Sequence, residues 1–128
     1  MPLIDKQLGL SYVMNMEDLY REIIGVFVED ADKLMQDIEL AFADENWALY
    51  RTHVHALKST SLNIGAKILS DKAKAAEYAC KRLAGEETPG HAADNDLTDP
   101  VARETRFIKD HHGELLHLFQ ETLAEARG

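Results

Sequence analysis

Residues 47–66 read WALYRTHVHALKSTSLNIGA. Trp47, Tyr50, Val54, Leu57, Ser61 and Ile64 recur in steps of three and four, the spacing that lines one face of an α-helix packed against neighbours. Gly65 supplies a left-handed residue to end that helix, and Asp44 is placed to cap its start, which predicts a helix over 45–64. At about 100° per residue, His55 lies roughly 130° from the centre of the apolar stripe and so faces water. Thr52 and Ser59 share that outer surface one turn to either side, and Leu62 lies a further turn along. Lys58 follows three residues after His55 and is its neighbour on the helix surface. His53 points roughly 160° away from His55, toward the core edge, where a packing or hydrogen-bonding role is expected.

The flanking sequence supplies the elements that such a helix packs against. Leu19, Ile23, Val26 or Phe27, Leu34, Ile38 and Phe42 repeat at helical intervals, predicting one long helix over 16–43 with Asn15 as N-cap and Asp18 completing a weak capping box. A short amphipathic helix over 3–9 precedes it and ends at Gly9. Leu69, Ala73, Ala76, Cys80 and Leu83 define a helix over 66–84 whose small residues suit close helix contact. Residues 85–96, GEETPGHAADND, have loop composition. A connector over 85–98 leads to Thr98 or Asp99 followed by Pro100, a good helix start. Val101, Ile108, Leu115, Phe119 and Leu123 then mark the inner face of a last helix over 99–126. No alternating Val/Ile/Thr-rich stretch reads as a strand. The expected fold is all-α: a single domain over 1–128, an antiparallel four-helix bundle with a short additional N-terminal helix.

Composition narrows the function. A chain of 128 residues has room for one core. Its 23 Asp and Glu against 14 Lys and Arg give a net charge of −9, which disfavours binding to nucleic acid or anionic lipid. No apolar stretch approaches the roughly 20 residues of a spanning helix, and the start lacks the pattern of a signal peptide. A cytoplasmic monomer without membrane insertion is expected. Cys80, the single cysteine, reads as a small buried hydrophobe in a reducing compartment.

An exposed imidazole beside an ammonium suits a phosphoryl carrier. Neutral imidazole is a nitrogen nucleophile near neutral pH, and a cation stabilises the charge spread over a transferring phosphoryl. Small neighbours leave room for a partner's carboxylate. The run His55-Ala56-Leu57-Lys58-Ser59-Thr60-Ser61-Leu62-Asn63-Ile64-Gly65-Ala66 resembles the signature of histidine-containing phosphotransfer (HPt) domains of bacterial-type phosphorelays, with His55, Leu57, Lys58, Asn63, Gly65 and Ala66 aligning. Ser59 stands where glycine is common in that family. The resemblance covers about residues 1–84, and the final helix is only a generic match.

The resemblance implies that His55 carries the phosphoryl group, that Lys58 stabilises its charge, and that Gly65 has a structural role. Thr52, Ser59, Leu62 and Asn63 would form the docking face. The partners implied are the receiver domain of a hybrid sensor histidine kinase, a response regulator, or both. The chain itself would need no cofactor and no metal, with Mg2+ supplied by the partner receiver domain. It would be a phosphoryl carrier and not an enzyme, without an ATP-binding or kinase catalytic site.

Rival readings have weaker support. A metal-binding bundle needs repeated inward pairs of ligands, and Glu114 with His117 is a single Glu-x-x-His. A kinase catalytic unit needs a phosphate-cradling loop, and no GxxxxGK[ST] occurs. Ala56 also stands where the dimerising helix of kinases has an acid. A non-catalytic helical adaptor remains the alternative, because a bundle by itself does not fix function.

Overall fold

The computed structural model describes residues 2–89 and 99–128. Five helices are present among them and no strand: α1 (Lys6–Ser11), α2 (Glu17–Ala43), α3 (Trp47–Asn63), α4 (Lys67–Leu83) and α5 (Pro100–Arg127). Helices α2 to α5 form the antiparallel bundle, with α2 and α4 each packed on α3 and α5, and α1 leans on α2. Of the connector expected over 85–98, residues 90–98 lie outside the described residues.

The core is built from the apolar stripes of the four long helices. Tyr50, Val54 and Leu57 of α3 meet Ile38 of α2, Leu69 of α4 and Phe119 of α5, all buried. Burial of one such Leu or Ile contributes about 1.5–3 kcal/mol. Ala73, Ala76 and Ala79 keep α4 thin, so α3 and α5 approach it closely. Along α2 the buried set is Tyr20, Phe27, Ala31, Ile38 and Ala41. Leu19, expected on the inner stripe, is 38% exposed, and of the alternatives Val26 or Phe27 it is Phe27 that is buried, Val26 being 55% exposed. Tyr20 takes the inward direction in place of Leu19, one residue along.

Three boundaries differ from the sequence expectation, and in each the turn decides. The first helix does not stop at Gly9. Asp5 caps it by accepting from the Leu8 amide, and Gly9 is buried because a Cβ there would meet the Tyr20 ring at 2.3 Å and the Ile64 carbonyl carbon at 2.9 Å. Asn15 does not cap α2: Met14 and Asn15 both adopt positive φ in the turn, Met16 is the N-cap without a side-chain bond, and Glu17 and Asp18 sit in the first turn at the positive end of the helix dipole. Asp44 is the C-cap of α2 and not the N-cap of α3. Glu45 makes the reversal at φ 51°, so the capping acceptor falls to Asn46, whose side chain accepts from the Leu49 amide at 3.1 Å.

The end of α3 is pinned from three sides. Gly65 has φ +86°, and the Ala66 and Gly65 amides donate to the Ser61 and Leu62 carbonyls in a Schellman arrangement. The Asp5 amide donates to the Gly65 carbonyl at 2.9 Å, and the Tyr20 hydroxyl donates to the Ile64 carbonyl at 2.8 Å. The segment that does this is itself held by Glu125 of α5, whose carboxylate accepts from the Leu3 and Ile4 amides at 2.8 and 3.2 Å.

At the other end of the bundle, Phe42 stacks on His112 with centroids 3.7 Å apart and planes within 1°, and Trp47 meets Phe42 and Tyr50 edge-on. Tyr50 is fully buried, and its hydroxyl lies 2.9 Å from His112 Nδ1. With the phenol donating, the ring is neutral. Burial holds His112 below the ordinary histidine value, opposed by the Glu39 carboxylate.

Two outcomes follow from this architecture. Gly65→Ala puts a Cβ 2.0 Å from the Asp5 carbonyl oxygen and forces a left-handed φ on alanine, so urea unfolding shows a loss of about 2–4 kcal/mol. Gly85→Ala, with the same φ but open space around it, loses only about 1–2 kcal/mol. His112, neutral in the fold and protonated more readily when unfolded, contributes stability that is complete above the ordinary value of about 6.5 and is lost as pH falls through its folded-state value. The urea midpoint of the wild type therefore drops more between neutral and mildly acidic pH than that of His112→Gln. Parallel profiles contradict this assignment.

Candidate functional site

His55 projects from the middle of α3 with its side chain 59% exposed. The helix rotation that buries Val54 and Leu57 turns it outward, toward the edge shared with α4. There the α4 stripe of small residues is broken by a carboxylate: Glu77 lies between Ala73 and Cys80 and is 2% exposed. His55 Nδ1 lies 2.7 Å from Glu77 Oε2. An ionised carboxylate only accepts, so Nδ1 carries the proton and Nε2 presents its lone pair to solvent.

Lys58 reaches the same carboxylate from one turn further along α3, its ammonium 2.6 Å from Oε1. Lys81, one turn along α4, stands 3.9 Å from Oε2 and lies over the Tyr78 ring. Burial pushes the Glu77 carboxyl up, but Lys58 and His55 together outweigh it and hold the group below the usual carboxylate range. A buried anion facing two ammonium groups leaves one positive charge in excess beside the imidazole.

The α3–α4 register that makes these contacts is fixed directly beneath them. The Ser70 hydroxyl of α4 donates to the Lys58 carbonyl of α3 at 2.9 Å.

The other residues singled out from sequence are dispersed around this centre. Thr52 and Ser59 are exposed on the turns flanking His55, and the Thr52 hydroxyl donates to the Ala48 carbonyl at 3.2 Å. Leu62 is half-buried, and Asn63 is exposed at the last turn of α3. Asn63 and Thr60 line a groove of about 330 Å³ with Leu19, Ile23 and Val26 of α2, floored by Phe119 of α5. The Lys58 ammonium sits on Glu77, not free beside the imidazole. Its sequence neighbourhood with His55 is real, but the buried carboxylate is the stronger partner.

Glu77 and Lys81 were not singled out by sequence. The available signal was an acid at position 77, eight residues after Leu69 and four after Ala73, where the helical period calls for an apolar side chain. Glu114 and His117, the Glu-x-x-His pair, have separate contacts: Glu114 pairs with Lys72 at 2.8 Å and His117 with Glu121. Among the described residues no three His, Cys, Asp or Glu side chains are grouped so as to hold a metal ion. Nor is any helix among them long and apolar enough to cross a membrane.

The family model of the Hpt domain matches residues 22–127. The chain belongs to the Hpt domain family. No curated protein and no solved structure matches it. Hpt domains act in phosphorelay histidine phosphotransfer; they are phosphocarrier modules without a kinase site of their own, and they interact with receiver domains. The Hpt match begins inside α2 and continues through α5, whose sequence alone had looked generic.

The neutral His55 ring is expected to hold its proton on Nδ1. Nitrogen NMR shifts in mildly alkaline solution should show Nε2 unprotonated in the wild type and in Glu77→Gln, which keeps an acceptor oxygen, while Glu77→Ala moves the ring toward a tautomer mixture. An Nε2–H ring in the wild type contradicts the arrangement.

Proposed function

We propose that this chain shuttles a phosphoryl group between receiver-domain aspartates by way of phospho-His55. The observation that carries the reading is the opposed environment of the two ring nitrogens, with Nδ1 tied to a buried carboxylate and Nε2 open to solvent. In the step proposed, the Nε2 lone pair attacks the phosphorus of an aspartyl phosphate. The P–N bond forms as the P–O bond to the aspartyl carboxylate breaks, and that carboxylate leaves as the anion. The imidazole becomes a phosphoimidazolium whose Nδ1 proton stays on the hydrogen bond to Glu77, so no proton has to move. The reverse sequence delivers the group to a second aspartate.

Glu77 orients the ring and stabilises the imidazolium, a task for which its charge must be kept from repelling the phosphoryl. Lys58 and Lys81 supply that compensation, and Lys58 also faces the developing charge as the phosphoryl arrives. Thr52, Ser59, Leu62 and Asn63 form the docking face in this reading. The small side chains near His55 leave the approach open, and the neighbouring apolar groove extends the surface toward α2. Mg2+ resides on the receiver domain, whose hybrid kinase or response regulator is the partner.

The test is incubation with a radiolabelled phospho-receiver domain and Mg2+. Acid-labile, base-stable label should appear on the wild type and not on His55→Ala, which still unfolds cooperatively but loses about 1–3 kcal/mol because the buried Glu77 carboxylate is left without its imidazole donor. Chelation of Mg2+ should stop transfer while leaving the helicity of the isolated chain unchanged. Absence of label on the wild type across several receivers overturns the reading and leaves the helical adaptor.

A further inference from the structure

Arg51 lies four residues before His55, so the two side chains rise from the same face of α3 with Cβ atoms about 5–6 Å apart. Its guanidinium is engaged by Glu86, just beyond α4. Nη2 donates to Oε1 at 3.2 Å, and Nη1 makes a shorter bond to Oε2. Glu86 is not placed there by a loose chain. Helix α4 ends in a Schellman arrangement in which Gly85, at φ +86°, donates to the Arg82 carbonyl and the Glu86 amide donates to the Lys81 carbonyl at 2.9 Å. This turn sets Glu86 within reach of Arg51 on α3.

The pair borders the same electrostatic field as the site. Arg51 feels the Glu77 carboxylate, and Glu86 feels Lys81. Both side chains remain partly exposed, 33% for Arg51 and 49% for Glu86, so the ion pair is weak enough to exchange partners. A phosphoryl dianion on His55 Nε2 would place more negative charge, and oxygens matched to a guanidinium fork, one helical turn away.

We infer that Arg51 is a second phosphoryl-binding cation of this surface and that Glu86 is a latch on it, holding the guanidinium until His55 is phosphorylated and released when the phosphoryl takes its place. The inference rests on His55 being the phosphoryl carrier and adds to that reading a residue and a means by which the segment after α4 responds to the state of the site. Arg51 acts here as a ligand of the bound phosphoryl, and Glu86 as its competitor.

The experiment phosphorylates the whole chain with phosphoramidate, removes the donor and follows decay of phosphohistidine by phosphorus NMR, with no receiver present. Glu86→Gln frees the guanidinium and is expected to lengthen the lifetime about two- to five-fold; Arg51→Gln shortens it by a similar factor. The double variant should decay like Arg51→Gln, because the latch acts only through Arg51. The Arg51 side-chain N–H resonances should also shift on phosphorylation of the wild type. Unchanged lifetimes in both single variants overturn the inference, and so does an effect of Arg51→Gln without one of Glu86→Gln. Failure of the wild type to accept phosphoryl at His55 instead overturns the carrier reading on which it rests. Circular dichroism of each variant separates these outcomes from loss of the fold.

Discussion

The contact on which the site depends is a single buried carboxylate shared by two donors of another helix. Removing Glu77 from water is unfavourable, and attraction to Lys58 and His55 offsets this only in good geometry. An apolar residue of similar volume on α4 would hold the bundle together as well or better. What the carboxylate adds is direction. It fixes which nitrogen of His55 faces outward, draws Lys58 back along the helix surface, and brings Lys81 to within 3.9 Å. A buried acceptor with two partners of different kinds makes the α3–α4 register a chemical requirement as well as a packing one.

The rest of the bundle keeps that register. Alanines on α4 allow the approach, and the Ser70 hydroxyl locks it by taking the Lys58 carbonyl. The C-terminal end of α3 is held by Gly65, Tyr20 and the residues before α1, so the helix bearing His55 is tied at its far end as well as along its side. Cys80 contributes only packing: burial pushes its thiol up to about 12, which leaves little thiolate for reaction near neutral pH.

The parts legible in the sequence were those set by strong periodicity. The stripe from Tyr50 to Ile64 located both the buried face of α3 and the exposed position of His55, and Gly65 ended the helix by a turn that glycine favours. Less legible were features decided by partners elsewhere in the chain. Gly9 looked like a helix terminator, but its lack of a side chain serves a contact with Tyr20 and Ile64. Asp44 and Asn46 are both competent caps, and only the left-handed turn at Glu45 chooses between them. Along the 27 residues of α2 the apolar pattern is broad enough to allow more than one facing direction, so Leu19 reads as inside although Tyr20 is, and the pattern alone does not choose between Val26 and Phe27. Glu77 was hidden because a lone acid in a helix is ordinarily solvated. Its meaning comes from α3, which the local pattern of α4 does not contain.

The carboxylate of Glu125 has a consequence beyond the stability of the segment it holds. By accepting from the Leu3 and Ile4 amides it brings the start of the described chain against the last turn of α5. Two backbone amides that no helix satisfies thus find their acceptor on α5, so the segment leading into α1 and the end of α5 are ordered together. That corner is also the one where the Gly65 carbonyl receives the Asp5 amide. From Asn63 back to His55 is eight residues of helix, about 12 Å, so this corner anchors α3 about two turns away from the imidazole.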